Sequence, residues 1–190
     1  MNAAPRNLRL TIEKDLAKKF VFVSGPRQVG KTTLARSIID ARKGTYLLYD
    51  DDEDRRAILQ KSYVSAEWVC LDEFHKFPRW KAHVKGVFDK HHKSLHLLLT
   101  GSARLDVFQK SGDSLFGRYY LHHLHPLTLG ELASAEMPAL PMKPDVAHEP
   151  LPHFGGLLRF GGFPEPFYAQ SETEHRRWSN ARRQLLIREE

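Results

Sequence analysis

One short stretch decides the fold of this chain: Phe20-Val21-Phe22-Val23-Ser24-Gly25-Pro26-Arg27-Gln28-Val29-Gly30-Lys31-Thr32-Thr33. It opens with the apolar residues of a buried strand, continues as Gly-x-x-x-x-Gly-Lys-Thr, and leads into a helical pattern. Both glycines let the backbone turn tightly and approach a ligand without a Cβ in the way. The N–H groups of such a loop, with the start of the following helix, form a nest for anions. The stretch therefore predicts a phosphate-binding P-loop for a nucleoside triphosphate.

The residues of this loop have separate expected roles. Lys31 would reach the β- and γ-phosphates, and the Thr32 hydroxyl would be a ligand of Mg²⁺. The alternative is a chance glycine-rich turn, which the strand–loop–helix context disfavours. The predicted nucleotide-binding residues are Gly25, Pro26, Arg27, Gln28, Val29, Gly30, Lys31, Thr32 and Thr33.

The composition is that of a globular protein. Of the 190 residues 41% are hydrophobic, which is enough for the core of one domain with a small appendage. We expect no membrane span and no signal peptide, because the longest apolar run is far shorter than the roughly 20 residues of a span. A single cysteine, Cys70, excludes a disulfide framework and favours a cytoplasmic location. The net charge of +6 is compatible with nucleic-acid contact without being diagnostic of it.

Apolar strands alternate with helical patterns along much of the chain. Strands are predicted at 20–24, 46–49, 68–71, 95–99 and 119–124, and helices at about 31–42, from Pro78 onwards, and after Thr128. The acidic residues from Asp50 to Asp54 are interpreted as a turn. Strands that are apolar throughout indicate a parallel sheet covered on both faces, and therefore an α/β three-layer fold. The pattern does not give the order of the strands in space.

We predict three parts along the chain. Residues 1–137 form the P-loop core, and residues 138–152 form a linker or loop, because five prolines between Pro138 and Pro152 exclude a helix or a central strand. Residues 153–190 form a short helical C-terminal extension. Its last helix begins near Ser171, with Trp178, Ala181 and Leu185 on one stripe. Because no capping signal precedes Glu190, we expect this part to be truncated.

A second acidic motif follows the third predicted strand, as Trp68-Val69-Cys70-Leu71-Asp72-Glu73. Ligands in parallel sheets bind at the carboxyl ends of strands, where the P-loop also lies. Asp72 would complete the magnesium shell, and Glu73 would act as general base on the attacking water. The alternative for Glu73 is an ordinary solvated carboxylate. A water-activating glutamate points to hydrolysis rather than to transfer onto a small molecule.

Two further positions could complete such a site, each with a rival. At the end of the fourth strand, Thr100 or Ser102 could orient the water or sense the γ-phosphate, although Ser102 could instead cap a helix that begins near Arg104. Arg118 could be delivered from a neighbouring subunit to stabilise charge in the transition state, with Arg104 as the alternative. We assign Ser102 and Arg118 to the catalytic set, with Glu73 and Lys31.

The motifs together resemble a large group of prokaryotic ATPases of the AAA+ superfamily, which usually carry a C-terminal domain of unknown function. The resemblance rests on Gly25–Leu34, Leu71–Glu73, Leu99–Arg104, Ser114–Tyr119, Pro126–Leu132 and Gly161–Glu165. It implies a five-stranded sheet in the order 5-1-4-3-2, ATP rather than GTP, Ser102 or Thr100 as sensor, and Arg118 as arginine finger. Members usually continue through a winged-helix-like segment, whereas this chain ends at Glu190.

Three functions follow from these features. The first is a magnesium-dependent ATPase that acts as a molecular switch or remodeller, with subunits of a homo-oligomer completing each other's sites. The second is a non-hydrolysing nucleotide-binding fragment. The third is a DNA-associated ATPase helper, suggested by the basic net charge and by Arg176, Arg177, Arg182 and Arg183, although a solvated helix face is the favoured explanation of these arginines.

Overall fold

The structure is a computed structural model that describes residues 6–102, 115–133 and 153–188. Two compact units are distinguished, one formed by Leu8–Leu124 and the other by Met1–Asn7 with His125–Glu190. Arg104 and the proline-rich stretch Pro138–Pro152 lie outside the described residues, so the predictions made for them stay predictions. The same holds for the domain boundaries at 137 and 152.

The first unit is built on a five-stranded parallel sheet. Its strands are β1 (Phe20–Ser24), β2 (Thr45–Leu48), β3 (Trp68–Asp72), β4 (His96–Gly101) and β5 (Tyr119–His123). Their spatial order is β2-β3-β4-β1-β5, which confirms the order 5-1-4-3-2. In the register, Phe22 lies between Leu99 of β4 and Leu121 of β5. All the strands are parallel, so their carboxyl ends meet at one edge of the sheet.

Among its described residues this unit has four α-helices, which are α1 (Leu8–Leu16), α2 (Lys31–Ala41), α3 (Asp52–Gln60) and α4 (Trp80–His91). The sequence interpretation found α2 and α4 but missed α1 and α3. The predicted turn at Asp50–Asp54 is confirmed only for Asp50 and Asp51, because Asp52–Asp54 form the first turn of α3. The Asp51 side chain accepts hydrogen bonds from the N–H groups of Glu53 and Asp54, both at 3.0 Å, and so caps α3. Acidic residues in a first helical turn also interact favourably with the helix dipole.

The core lies on both faces of the central strands. Every residue of β1 is buried, as are the residues of β4 after His96. On one face the ring of Phe22 lies 5.1 Å from that of Trp80 and 5.0 Å from that of Tyr119, measured between centroids. This two-sided burial explains why the strands are apolar throughout, and it gives the site residues at the strand ends a rigid base.

The second unit is helical, with α5 (Leu129–Ala133), α6 (Phe154–Phe160), α7 (Pro164–Ala169) and α8 (Glu172–Arg188). The predicted capping box at α5 is confirmed. The Thr128 N–H donates to Glu131 Oε2 at 3.2 Å, and the Glu131 N–H donates to Thr128 Oγ1 at 3.3 Å. Helices α6 and α7 were not predicted, since glycine pairs and prolines obscured their pattern.

Helix α8 begins where the sequence predicted it. The Ser171 hydroxyl accepts a hydrogen bond from the Glu174 N–H at 3.4 Å. Of the expected apolar stripe, Trp178 is half-buried against Phe163, with ring centroids 4.9 Å apart, whereas Ala181 and Leu185 are exposed. In the described part of the chain, none of the helices is both long and apolar enough to cross a membrane.

Candidate nucleotide-binding site

The loop between β1 and α2 has a backbone that requires its glycines. Gly25 has a φ of 155° and Gly30 a φ of 98°, values that side chains rarely allow. A Cβ at Gly25 would lie 2.5 Å from the carbonyl oxygen of Leu124, closer than any real contact. The Val29 side chain is buried, whereas Arg27 and Gln28 are exposed. The buried Val29 side chain therefore anchors the loop, and the loop backbone at Gly25 packs closely against the backbone of Leu124.

Lys31, the first residue of α2, points back at this loop. Its ammonium donates hydrogen bonds to the carbonyl oxygens of Gly25, at 3.0 Å, and Pro26, at 2.9 Å. Burial lowers the pKa of Lys31, and the nearby carboxylates of Glu73 and Asp72 act in the opposite direction. The lysine charge is thus held against the glycine loop and faces the acidic end of β3.

The Asp72 carboxylate lies at the carboxyl end of β3 and receives four hydrogen bonds. Oδ2 accepts from the hydroxyls of Thr32, at 2.7 Å, and Tyr46. Oδ1 accepts from the Thr100 hydroxyl and from the Glu73 N–H, the latter at 3.0 Å. Burial would raise the pKa of Asp72, but these hydrogen bonds outweigh it and hold the pKa below its ordinary value. Asp72 is therefore a buried, oriented anion.

Glu73 follows directly and has a left-handed backbone with a φ of 55°. Such a conformation is uncommon in a non-glycine residue. Its Oε2 lies 3.7 Å from the Lys76 ammonium and 3.7 Å from Nδ1 of His75. Lys76 in turn forms an ion pair with Asp50, in the segment that follows β2. Glu73 thus lies beside Asp72 with its carboxylate near two basic side chains.

Thr100 and Ser102, the two sensor candidates, both lie at the end of β4 but have different contacts. Thr100 is fully buried and donates to Asp72. Ser102 is half-buried, and its backbone N–H donates to Nδ1 of His75 at 3.3 Å. Burial lowers the pKa of His75, which favours the neutral ring that this hydrogen bond needs. Thr100 contacts the acidic site directly, whereas Ser102 contacts His75.

Arg118, the proposed finger, lies at the other edge of the sheet. It immediately precedes Tyr119, which pairs with Phe20 at the start of β1, whereas the P-loop follows Ser24 at the end of β1. Four strand steps separate these ends, about 13 Å. The Arg118 guanidinium forms an ion pair with Asp89 of α4 at 2.8 Å. Within its own chain Arg118 is therefore remote from the P-loop.

Sequence reasoning missed Tyr46 and His75. Tyr46 lies on β2 and reaches Asp72 because Leu48 of β2 is in register with Asp72 of β3. A tyrosine in an apolar strand gives no signal of such a contact, since the neighbouring strand and its register are unknown. His75 follows the Asp-Glu pair by two residues, and its proximity to that pair was the available signal.

These residues fit a magnesium–nucleotide complex. Thr32 is exposed, and its hydroxyl is already hydrogen-bonded to an anionic carboxylate. Hydroxyl and carboxylate oxygens are the hard ligands that Mg²⁺ prefers. The glycine loop, the start of α2 and the Lys31 ammonium supply the positive surroundings that phosphates need. Thr32 and Asp72 would therefore hold the metal, and the loop with Lys31 would hold the phosphates.

The sheet order, the glycine-dependent loop between β1 and α2, and the acidic end of β3 define a P-loop nucleoside-triphosphatase fold. The family described as the AAA domain has a model that matches residues 17–133, and the chain belongs to this family. This membership supports a nucleotide-binding, ATPase-type function.

Two uncharacterized proteins, one from Mycobacterium bovis and one from Mycobacterium tuberculosis, are each 27% identical over 164 residues, covering 83% of this chain and 33% of theirs. The chain thus spans about a third of the length of these relatives. Among solved structures, a Bacteroides Pif1 helicase in complex with ADP-AlF3 and ssDNA has a TM-score of 0.42 and 12% identity, covering 68% of this chain and 43% of its own. C. elegans PCH-2 has a TM-score of 0.37 and 14% identity, covering 59% and 36%. At these TM-scores the likeness carries no functional argument.

Proposed function

We propose that this protein binds ATP with Mg²⁺ and hydrolyses it to ADP and phosphate. The observation that carries the proposal is the 2.7 Å hydrogen bond from the Thr32 hydroxyl to Asp72. It lies beside the glycine loop, whose Gly25 carbonyl accepts a hydrogen bond from the Lys31 ammonium. A hydroxyl and a carboxylate held together beside a phosphate-binding loop are the two protein groups that such chemistry needs for its metal.

Each residue has a role in this proposal. Lys31 leaves the carbonyls of Gly25 and Pro26 to contact the β- and γ-phosphates, whose charge is a stronger partner. Thr32 and Asp72 hold the metal, which neutralises charge on the phosphates when bound. Glu73 takes the proton of the attacking water as general base. Thr100 or Ser102 orients that water.

The proposal includes an assembly of several copies of the chain. Arg118 lies about 13 Å away along the sheet from its own P-loop, so it could contribute to hydrolysis only at the site of a neighbour. The Arg118–Asp89 ion pair is partly exposed, so Arg118 would give up Asp89 for a partner in the neighbouring subunit at a low free-energy cost. If each subunit supplies Arg118 to the nucleotide site of its neighbour, hydrolysis would be coupled to assembly, as a switch or remodeller requires. A cytoplasmic setting, which supplies ATP and keeps a buried thiol such as Cys70 reduced, is part of the same proposal.

Two substitutions test the enzymatic role. Lys31→Ala should abolish binding of a fluorescent ATP analogue, because the loop loses its charged phosphate contact. Glu73→Gln should bind the analogue with unchanged Kd and lose at least about 100-fold in phosphate release, since a general base contributes roughly that much.

Glu67→Gln, which changes an exposed glutamate outside the site, is the control. If Glu73→Gln and the wild type release phosphate at equal rates, the hydrolytic role of Glu73 is wrong. A wild type that binds but never turns over would leave the non-hydrolysing alternative.

The DNA-associated alternative has weaker support from the contacts of α8. Of the four arginines that suggested it, Arg177 pairs with Glu174 at 2.9 Å, and Arg182 lies over the ring of Phe163 at 4.0 Å. Arg176 and Arg183 are exposed. A titration with single- and double-stranded DNA should show affinity falling steeply with salt if this helix binds phosphates. An absence of binding at low salt would reject the alternative.

A further inference from the structure

The hydrogen bonds to Asp72 leave its carboxylate without a vacant acceptor position. A carboxylate offers about four lone-pair sites, two on each oxygen. Oδ1 is used by the Thr100 hydroxyl and the Glu73 N–H, and Oδ2 by the hydroxyls of Thr32 and Tyr46. Asp72 is also 1% exposed. A water of a metal shell could therefore hydrogen-bond to Asp72 only after one of these four donors has left.

The four donors differ in how easily they can leave. The Glu73 N–H is part of the backbone next to Asp72, and Thr100 is fully buried in β4 between two strands. Thr32 is the predicted metal ligand and can keep its proton directed at Asp72 while its oxygen faces the metal. Tyr46 is half-buried on β2, which pairs only with β3 among the described strands. Its ring has a further contact of its own, with the guanidinium of Arg36 at 3.8 Å from the ring centroid.

We propose that the Tyr46 hydroxyl takes the place of a metal-shell water on Oδ2 of Asp72, and that it must leave this oxygen when magnesium and nucleotide bind. Tyr46 is in this sense a positioning residue that keeps Asp72 oriented in the free protein and sets the magnesium concentration that the site requires. The stacking of Arg36 on the ring holds the hydroxyl toward Asp72. The inference rests on the proposed magnesium-dependent nucleotide binding.

The test is the magnesium dependence of nucleotide binding, measured by equilibrium fluorescence with a non-hydrolysable ATP analogue. Tyr46→Phe removes the competing hydroxyl and keeps the ring on Arg36. The half-saturating magnesium concentration should fall about threefold to tenfold, the worth of one net hydrogen bond. Tyr49→Phe is the matched control, because Tyr49 follows β2 and its ring packs on Phe74 and Phe77 rather than on Asp72. Its half-saturating concentration should equal that of the wild type.

Thermal unfolding gives a second readout, which is linked to the first through the binding equilibrium but also reports on the free protein. Tyr46→Phe should lower the Tm of the free protein, because Asp72 loses a donor, and this difference from wild type should disappear with saturating magnesium and analogue. A Tm deficit that persists unchanged in the complex would overturn the proposal. So would a half-saturating magnesium concentration that is unchanged or raised in Tyr46→Phe.

A second variant covers the case in which Tyr46→Phe folds poorly. Arg36→Lys keeps the hydroxyl and the positive charge but removes the planar group that stacks on the ring. Arg36→Lys should also lower the half-saturating magnesium concentration, by a smaller factor than Tyr46→Phe does. A wild type whose nucleotide binding is independent of magnesium would refute the proposed function as well, whereas magnesium-dependent binding with unaltered variants would refute this inference alone.

Discussion

The Thr32 hydroxyl donates a 2.7 Å hydrogen bond to Oδ2 of Asp72, joining the start of α2 to the end of β3 across 40 positions of the chain. The free protein thus already places the hydroxyl proposed to bind the metal beside the carboxylate proposed to complete the metal shell through water. This pre-organisation lowers the entropic cost of assembling a metal site from two elements.

Thr32→Ala tests this relationship. The variant loses a metal ligand and one of the donors to Asp72, so the gain in nucleotide affinity that magnesium provides should fall about tenfold or more. Isothermal titration of the ATP analogue with and without magnesium measures this gain. Ser37→Ala is the control, since its hydroxyl lies on the same helix and donates only to the carbonyl of Leu34 at 2.7 Å. Equal magnesium effects in Thr32→Ala and wild type would contradict the assignment.

Arg118→Ala tests the contribution from a neighbouring subunit. We expect unchanged affinity for the ATP analogue and a loss of roughly 1000-fold in phosphate release, because the residue is remote from its own loop. Mixing Arg118→Ala with Lys31→Ala should restore part of the activity, since one variant supplies the intact P-loop and the other the arginine. Arg79→Ala, an exposed arginine before α4, is the control. A mixture no more active than its components would argue against sites shared between subunits.

Two glycines should respond to alanine in opposite directions. Gly25→Ala places a Cβ 2.5 Å from the Leu124 carbonyl at a φ of 155°, and should lower the free energy of unfolding by roughly 2 kcal/mol or more. Gly86 lies inside α4, where a Cβ would find only the Lys61 ammonium at 3.7 Å. Gly86→Ala should raise the free energy of unfolding by about 0.5–1 kcal/mol. Urea denaturation of both variants measures the two changes in the free energy of unfolding. Changes of the same sign would contradict the prediction.

Stability should fall in mild acid because of His83. Burial lowers the pKa of His83 to about 4, and its Nε2 lies 2.7 Å from the Tyr63 hydroxyl. A histidine pKa lowered by folding means that the unfolded chain binds the proton first. The free energy of unfolding is therefore lost as the pH falls from about 6.5 towards 4, by at most ~1.4 kcal/mol per pH unit from this one group.

His83→Gln keeps an acceptor for Tyr63 but does not titrate in this range. Between pH 7 and 5 its free energy of unfolding, measured in urea, should decrease less than that of the wild type. His91→Gln, which changes a histidine at the end of the same helix, should follow the wild type. If all three proteins lost equal stability over this interval, His83 would not be the responsible group.

The candidate site could be predicted from sequence where local geometry dictates residue type. The glycines at 25 and 30 are needed by the backbone itself, and the Asp72-Glu73 pair follows an apolar run that could only be a buried strand. Tyr46 could not be found in this way. Its contact with Asp72 depends on which strand lies beside β3 and in which register, and both are properties of the assembled sheet.

Elements with weak or mixed periodicity were also missed. Helix α3 begins with charged residues and buries only Ile58, and α6 contains two glycines, so helical spacing of apolar residues gave little signal for either. The conformation of α3 is decided by its N-cap residue Asp51 and by the packing of one isoleucine, Ile58. Such short elements depend on the surface they pack against more than on their own propensity.

The sequence by itself determined the glycine-dependent loop after β1, the acidic strand end and the apolar parallel strands, because backbone strain, strand periodicity and charge act over a few neighbouring residues. The tertiary structure alone decided which hydroxyls surround Asp72, that Thr100 rather than Ser102 contacts it directly, and that Arg118 lies at the far end of β1 from its own loop. These relationships join residues far apart in the chain, and only strand order and register bring such residues to one edge or separate them.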